Sequence, residues 1–201
     1  MQKQQKTQLS KERIINAAIT EFGANGYKKG ALNNICAMGI PKGLLYHNFH
    51  SKDELYLQVV ERAFDLFDVY IEQRGADRDV KSYLEARLGF LKEHSDFCRI
   101  LFEALIQPPP KLAKQIKRIR TKFDDLNDRL YFGLIDQLSL REGVSKEEAE
   151  NYFHIVQDMF NGYFANMLFS GVCVEEIAGK HKEILPKFIE YMIYGIVADK
   201  M

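Results

Sequence analysis

Four hydrogen-bond donors, Lys42, Tyr46, His47 and Lys52, fall within the stretch GIPKGLLYHNFHSKDEL, Gly39 to Leu55. Ammonium, phenol and imidazole groups so close together suit phosphate oxygens and base edges. Other chemistries find less support. The five histidines show neither H-x-x-x-H nor H-E-x-x-H spacing, so no metal is expected. Glu147, Glu148 and Glu150 read as acids favoured at a helix N-terminus, not as catalytic carboxylates. GANGYKKG, Gly23 to Gly30, has glycines but no preceding strand, so it is not a phosphate loop. With no nucleophile–base pair and no cofactor loop, the chain reads as neither an enzyme nor a cofactor protein.

The positions around these donors explain why two helix-disrupting residues stand there. Gly39 suits a tight turn between two helices, Pro41 fits the first turn of the next one, and Gly43 lets a partner come close. Ser51-Lys52-Asp53-Glu54 is a capping box that opens another helix. A short helix, a glycine turn and a second short helix make the helix-turn-helix plan, in which the second helix enters the major groove. Charge agrees. Residues 1–50 hold seven Lys/Arg against two acids, a balance of +5, and residues 51–201 hold 21 against 26, so the net charge of zero hides a basic end. Lys28 and Lys29 flank the motif and could add phosphate contacts.

The remaining elements read as helical, and the absence of any sustained period-two alternation argues against strands. Ser10 caps a first helix through Ile14, Ala18 and Phe22 that ends near Gly26. A second spans about Leu32 to Ala37, and the fourth runs from the Ser51 box to about Gln73. Val80 to His94 and Ser95 to Gln107 make two more, stopped by Pro108-Pro109-Pro110. One long helix is expected through Leu112, Ile116, Ile119, Phe123, Leu126 and Leu130. Ser145 opens a helix with Tyr152, Val156, Met159, Tyr163 and Met167 on one side. A last helix from about His181 carries Ile184, Phe188, Tyr191, Ile193, Ile196 and Val197. The faces of these last two, about 145–170 and 181–199, exceed what one small core needs and predict a homodimer seam.

With 46% hydrophobic and 28% charged residues the chain reads as an ordinary globular protein. No apolar run approaches the roughly 18 residues that span a bilayer, and MQKQQKTQLS lacks a signal-peptide core, so a cytoplasmic protein without membrane contact is expected. Cys36, Cys98 and Cys173 are widely spaced and read as reduced core residues.

Three stretches together resemble the tetracycline-repressor (TetR) family of bacterial transcription regulators: RIINAAITEFGANGY, GIPKGLLYHNF and SKDEL, over about residues 10–55. The resemblance implies an all-α protein: a three-helix DNA-binding domain at 1–52, helix 4 linking from 52 to about 73, and a larger helical domain at 53–201 for effector binding and dimerisation. It implies a homodimer on a palindromic operator, acting as a repressor released by a small molecule. Pro41, Lys42, Gly43, Leu44, Tyr46, His47 and Lys52 would lie at or near DNA, with Tyr46 and Lys52 on phosphates. Two departures stand out. Ile35 to Gly39 is four residues where the family has five, so either helix 2 ends early or the turn is distorted. Gly30-Ala31 also replaces the usual hydroxyl residue before helix 2.

Polar side chains among apolar neighbours mark a possible effector pocket: Tyr131, Gln157 and Asn161 on the long helices, with His94, Cys98 and Phe102 near a helix junction. Satisfied core groups or a dimer seam would give the same pattern. The aromatic surroundings suggest a largely apolar effector. The competing reading is a DNA-binding protein with no small-molecule effector, controlled through a protein partner.

Overall fold

The computed structural model describes residues 2–195 and Val197, with side chains from Thr7 onward. The expectation for Ile196 lies outside the described residues. Ten helices follow in order: α1 (Gln2–Lys29), α2 (Leu32–Ala37), α3 (Lys42–Asn48), α4 (Lys52–Gln73), α5 (Val80–Glu93), α6 (Ser95–Ile106), α7 (Ala113–Ile119), α8 (Thr121–Ile135), α9 (Lys146–Phe169) and α10 (Val174–Tyr194). Among the described residues there is no strand, only an isolated antiparallel bridge between Leu140 and Val197. The protein is all-α.

The chain divides into two compact units. One takes the chain up to Leu66 and returns for His94–Arg120; the other takes Phe67–Glu93 and the chain from Thr121. In the first, α1, α2 and α3 pack on one another and α1 packs along α6. Ile14, Ala18 and Phe22, four residues apart, are wholly buried along one stripe of α1. Gly23 allows the helices their close approach, since a Cβ there would lie 2.3 Å from the Asp96 carbonyl oxygen. α1 begins well before Ser10, because QKQQKTQL contains good helix formers and no breaker. It bends at Gly26 (φ 67).

In the second unit α10 packs on α5 and α9, while α8 packs on α9 and α5. Phe67 meets Phe90, Phe123 and Tyr83 edge-on, with ring centroids 5.1, 5.4 and 6.3 Å away. α9 starts at a full capping box, in which the Ser145 hydroxyl accepts from Glu148 N and the Glu148 carboxylate accepts from Ser145 N.

Four expectations are corrected. The single long helix through Leu112 and Leu130 is two, α7 and α8, broken at Arg120, whose guanidinium donates to the Leu105 carbonyl at 3.1 Å. Leu112 and Ile116 bury in the first unit, Phe123, Leu126 and Leu130 in the second, so one stripe serves two cores. α10 begins at Val174 and not near His181, because Ile177, Ala178, His181 and Leu185 form one buried face and Glu175 and Glu176 favour its first turn. On α9 the core face is Ala149, Phe153, Val156, Phe160 and Phe164; of the expected stripe, Met159 and Tyr163 are 66% and 52% exposed. Only Cys98 is a core cysteine; Cys36 is half-buried and Cys173 exposed.

Candidate nucleic-acid interface

α2 ends after six residues, and the short Ile35–Gly39 spacing is absorbed there. Met38 closes the helix at φ −80, and Gly39 follows at φ 84, a left-handed conformation that favours glycine. Gly39 N and Ile40 N both donate to the Cys36 carbonyl, at 3.1 and 3.2 Å, which makes the turn tight. The Arg13 guanidinium reaches the Gly39 carbonyl at 3.4 Å. Ile40 is buried, and Pro41 (φ −57, ψ 132) caps α3 with its carbonyl accepting from Leu45 N.

Burial sets the orientation of α3. Leu45 is 0% and Phe49 1% exposed. Pro41, Lys42, Gly43, Tyr46 and His47 face solvent, and Leu44 lies half-buried between the two sets. A Cβ at Gly43 would meet nothing within 4 Å, so the helix presents bare backbone there. Lys28 and Lys29 are also exposed. Lys42, Tyr46 and His47 thus stand exposed on α3, with ammonium, phenol and imidazole groups that can reach phosphates and base edges.

Lys52 is placed differently. It opens α4, where Glu54 N donates to Ser51 Oγ at 3.1 Å and the Glu54 carboxylate accepts from His50 N at 2.7 Å. The Lys52 ammonium lies 4.6 Å from the centre of the Tyr27 ring. Partial burial and the nearby Lys111 ammonium lower its pKa. The Tyr27 hydroxyl donates to Asp53, which also pairs with Lys111 at 2.8 Å. Those two hydrogen bonds hold the Asp53 carboxyl below the usual range.

The segment 14–59 matches the model for bacterial regulatory proteins of the tetR family. The likeness to the tetR family lies in this segment. The matched segment takes in the second half of α1, all of α2 and α3 and the start of α4, and tetR-family structures of this fold likewise have an N-terminal helix-turn-helix part followed by a helical C-terminal part. The negative regulator IcaR of the biofilm operon icaADBC in Staphylococcus epidermidis is 27% identical over 127 residues, covering 62% of this chain and 67% of IcaR. The HTH-type regulator YerO of Bacillus subtilis is 27% identical over 179 residues, covering 84% of this chain but only 60% of YerO. Two solved tetR-family regulators share the fold. One, from Chloroflexus aurantiacus, has a TM-score of 0.63 at 19% identity and covers 96% of this chain and 95% of its own. The other, from Agrobacterium tumefaciens, has a TM-score of 0.64 at 15% identity and covers 96% and 100%. No helix among the described residues is long and apolar enough to cross a membrane.

Within the matched segment, a carboxylate from α1 replaces the missing cap of α2. Ala31 offers no side-chain cap, and buried Glu21 accepts from Ala31 N and from Asn34 Nδ2, both at 2.9 Å. The only sequence signal for Glu21 is an acid beside Phe22 on an apolar stripe. Glu103 of α6 has a similar role. Its Oε2 accepts from Tyr27 N and from the Tyr56 hydroxyl, both at 2.8 Å, and so ties α6 to α1 just past the bend and to α4.

The effector candidates separate between the two units. His94, Cys98 and Phe102 belong to the first and line neither cavity of the second. Tyr131, Gln157 and Asn161 come together around a small cavity of about 30 Å³ that Arg87, Phe153 and Phe188 also line. A larger cavity of about 1300 Å³ lies between α5, α8 and α10, with Leu84, Leu88, Leu130, Leu134, Ile189 and Ile193 among its walls.

Proposed function

We propose that this protein is a regulator of the tetR family, a homodimeric, sequence-specific repressor that binds a palindromic operator and is released by a small, largely apolar ligand. The observation that carries the DNA reading is the two-sided α3, with Leu45 and Phe49 locked in the core and Lys42, Gly43, Tyr46 and His47 presented outward. Residues 1–52 form the DNA-reading part, α4 links from 52, and 53–201 serve effector binding and dimerisation. Repression accords with the role of IcaR as a negative regulator. Dimerisation accords with a run of exposed apolar side chains: Ile155, Met159 and Tyr163 on α9 at steps of four, and Tyr191 and Tyr194 on α10, all between 52% and 68% exposed. An apolar effector suits the 1300 Å³ cavity.

α4 is one unbroken helix that contributes to both compact units, so ligand and operator can bias each other through it. It is not the only covalent connection, because the chain also passes between units at 93–94 and 120–121. By linkage, saturating operator weakens ligand affinity by the factor that ligand weakens operator affinity. The test is selection from random duplexes, then binding at several salt concentrations with sedimentation of the free protein. Expected are a palindromic site, a species of twice the 23.3 kDa chain mass, and a salt slope that drops by about one for Lys42→Ala. A monomer at micromolar concentration, or an unchanged slope, would refute the corresponding assignment.

A further inference from the structure

A buried arginine without a counter-ion stands in the second unit. Arg87 of α5 is 6% exposed, and no carboxylate lies within ion-pair distance of it among the described residues. Its one hydrogen bond among the described residues is from Nη2 to Asn161 Oδ1 at 2.6 Å, a neutral partner that leaves the charge uncompensated. Charged side chains are almost never buried this far unless paired, and an unpaired buried charge is expensive. The groups around it do not neutralise it. Tyr83 and Tyr131 are protonated phenols whose pKa values burial raises, and buried His181 is held neutral by burial and by the Arg87 charge.

Arg87 is also placed where a ligand can reach it. It lines the small cavity with Tyr131, Gln157 and Asn161, and the Tyr131 hydroxyl has no hydrogen-bond partner among the described residues. The Nδ1 of His181, whose ring packs 4.8 Å from that of the cavity residue Phe160, is likewise buried without a partner. Leu84, Leu185 and Ile189 line both this cavity and the 1300 Å³ cavity, so these three aliphatic side chains form a shared wall. Rotation of aliphatic side chains opens such a wall at little cost.

We propose that Arg87 anchors the carboxylate of an amphipathic ligand whose apolar body passes the Leu84–Leu185–Ile189 wall and lies in the cavity between α5, α8 and α10. The planar guanidinium forks onto a carboxylate, and the Tyr131 hydroxyl supplies a second donor. The ligand class is a medium- or long-chain carboxylic acid. This deepens the effector reading given above and rests on it for the coupling to DNA, though binding at Arg87 stands independently.

The experiment titrates octanoate, decanoate, dodecanoate, dodecanol and dodecyltrimethylammonium into the full chain by calorimetry, below their aggregation concentrations, and repeats operator binding with each. Expected is dodecanoate binding well ahead of dodecanol, no binding of the cation, and about fourfold tighter binding per added methylene. Arg87→Gln, checked for folding by its melting curve, should weaken dodecanoate at least about thirtyfold and leave dodecanol unchanged. Equal affinity for dodecanoate and dodecanol, or no binding of any of the three acids, overturns the proposal, and that comparison needs no variant. A folded Arg87→Gln protein with unaltered dodecanoate affinity overturns it too. Dodecanoate that binds with the expected order yet leaves operator affinity unchanged supports the site and refutes the effector reading.

Discussion

Replacing Glu103 with alanine removes the acceptor of two hydrogen bonds at once. Glu103 Oε2 takes the Tyr27 N–H and the Tyr56 O–H, each at 2.8 Å, and Tyr56 is wholly buried. Burial and the adjacent carboxylate push the Tyr56 hydroxyl pKa upward, so it stays protonated and must donate. A hydrogen bond to a charged acceptor contributes roughly 1.5–3 kcal/mol, and a buried donor left alone costs roughly 1–3 kcal/mol. Glu103→Ala should therefore destabilise by about 3–5 kcal/mol. Glu103→Gln, which keeps an acceptor and loses the charge, should cost about 1 kcal/mol. Tyr56→Phe removes the donor without stranding a partner, because Glu103 keeps the Tyr27 N–H, and should cost about 1–2 kcal/mol. The informative quantity is the coupling. In the Tyr56→Phe background Glu103→Ala no longer orphans a hydroxyl, so the double variant should be about 2 kcal/mol more stable than the two single losses sum to. Urea unfolding of all four proteins, at one protein concentration because an associating chain has concentration-dependent stability, gives the cycle. Additivity within about 0.5 kcal/mol would refute the idea that Glu103 and Tyr56 act as a pair.

Acid should unfold the second unit through His181. Its folded pKa is depressed to about 3 from 6.5, so the unfolded chain binds the extra proton between these values. The stability is complete above about 6.5 and falls by about 1.4 kcal/mol per pH unit below it. His181→Phe should flatten that slope in melts between pH 4 and 7, and an unchanged slope would exclude His181 as its source. The two glycines of the helix-turn-helix should respond oppositely. A methyl at either meets nothing within 4 Å, but only Gly39 has a positive φ. Gly39→Ala should cost about 1–2 kcal/mol of stability. Gly43→Ala should leave the melting temperature unchanged or raise it while weakening operator binding, as read by a thermal melt and a gel shift on each variant.

Much of this architecture was legible because it rests on local chemistry. The bounds of α2, the capping boxes at Ser51 and Ser145, and the glycine turn each follow from a few adjacent residues whose backbone preferences agree. What was not legible depends on partners distant in sequence. α9 carries two apolar faces, one through Phe153, Phe160 and Phe164 and one through Ile155, Met159 and Tyr163, and periodicity alone does not say which faces its own core. The break at Arg120 is invisible in a continuous apolar stripe. In the first unit the exposed face of α3 follows from its spacing, whereas Glu21 and Glu103 do not stand out, since an acid on an amphipathic helix is ordinarily solvated. The inward placement of Lys52 over Tyr27 is equally a product of tertiary packing.

The packing of α1 along α6 also dictates an order of events during synthesis. The Tyr27–Glu103 bond joins residues 76 apart in sequence, and the face of α1 that α6 covers has no partner until α6 is made. At a ribosomal rate of about 5–20 residues per second, α1 leaves the tunnel roughly 4–15 s before its partner helix. For that interval the nascent chain carries an uncovered apolar stripe on a helix within the basic first fifty residues, where chaperones or polyanions would find it first. Closing so long a loop also sets a late, entropically costly step in the maturation of the first unit. A fragment cut after α4 would remain at that unfinished stage.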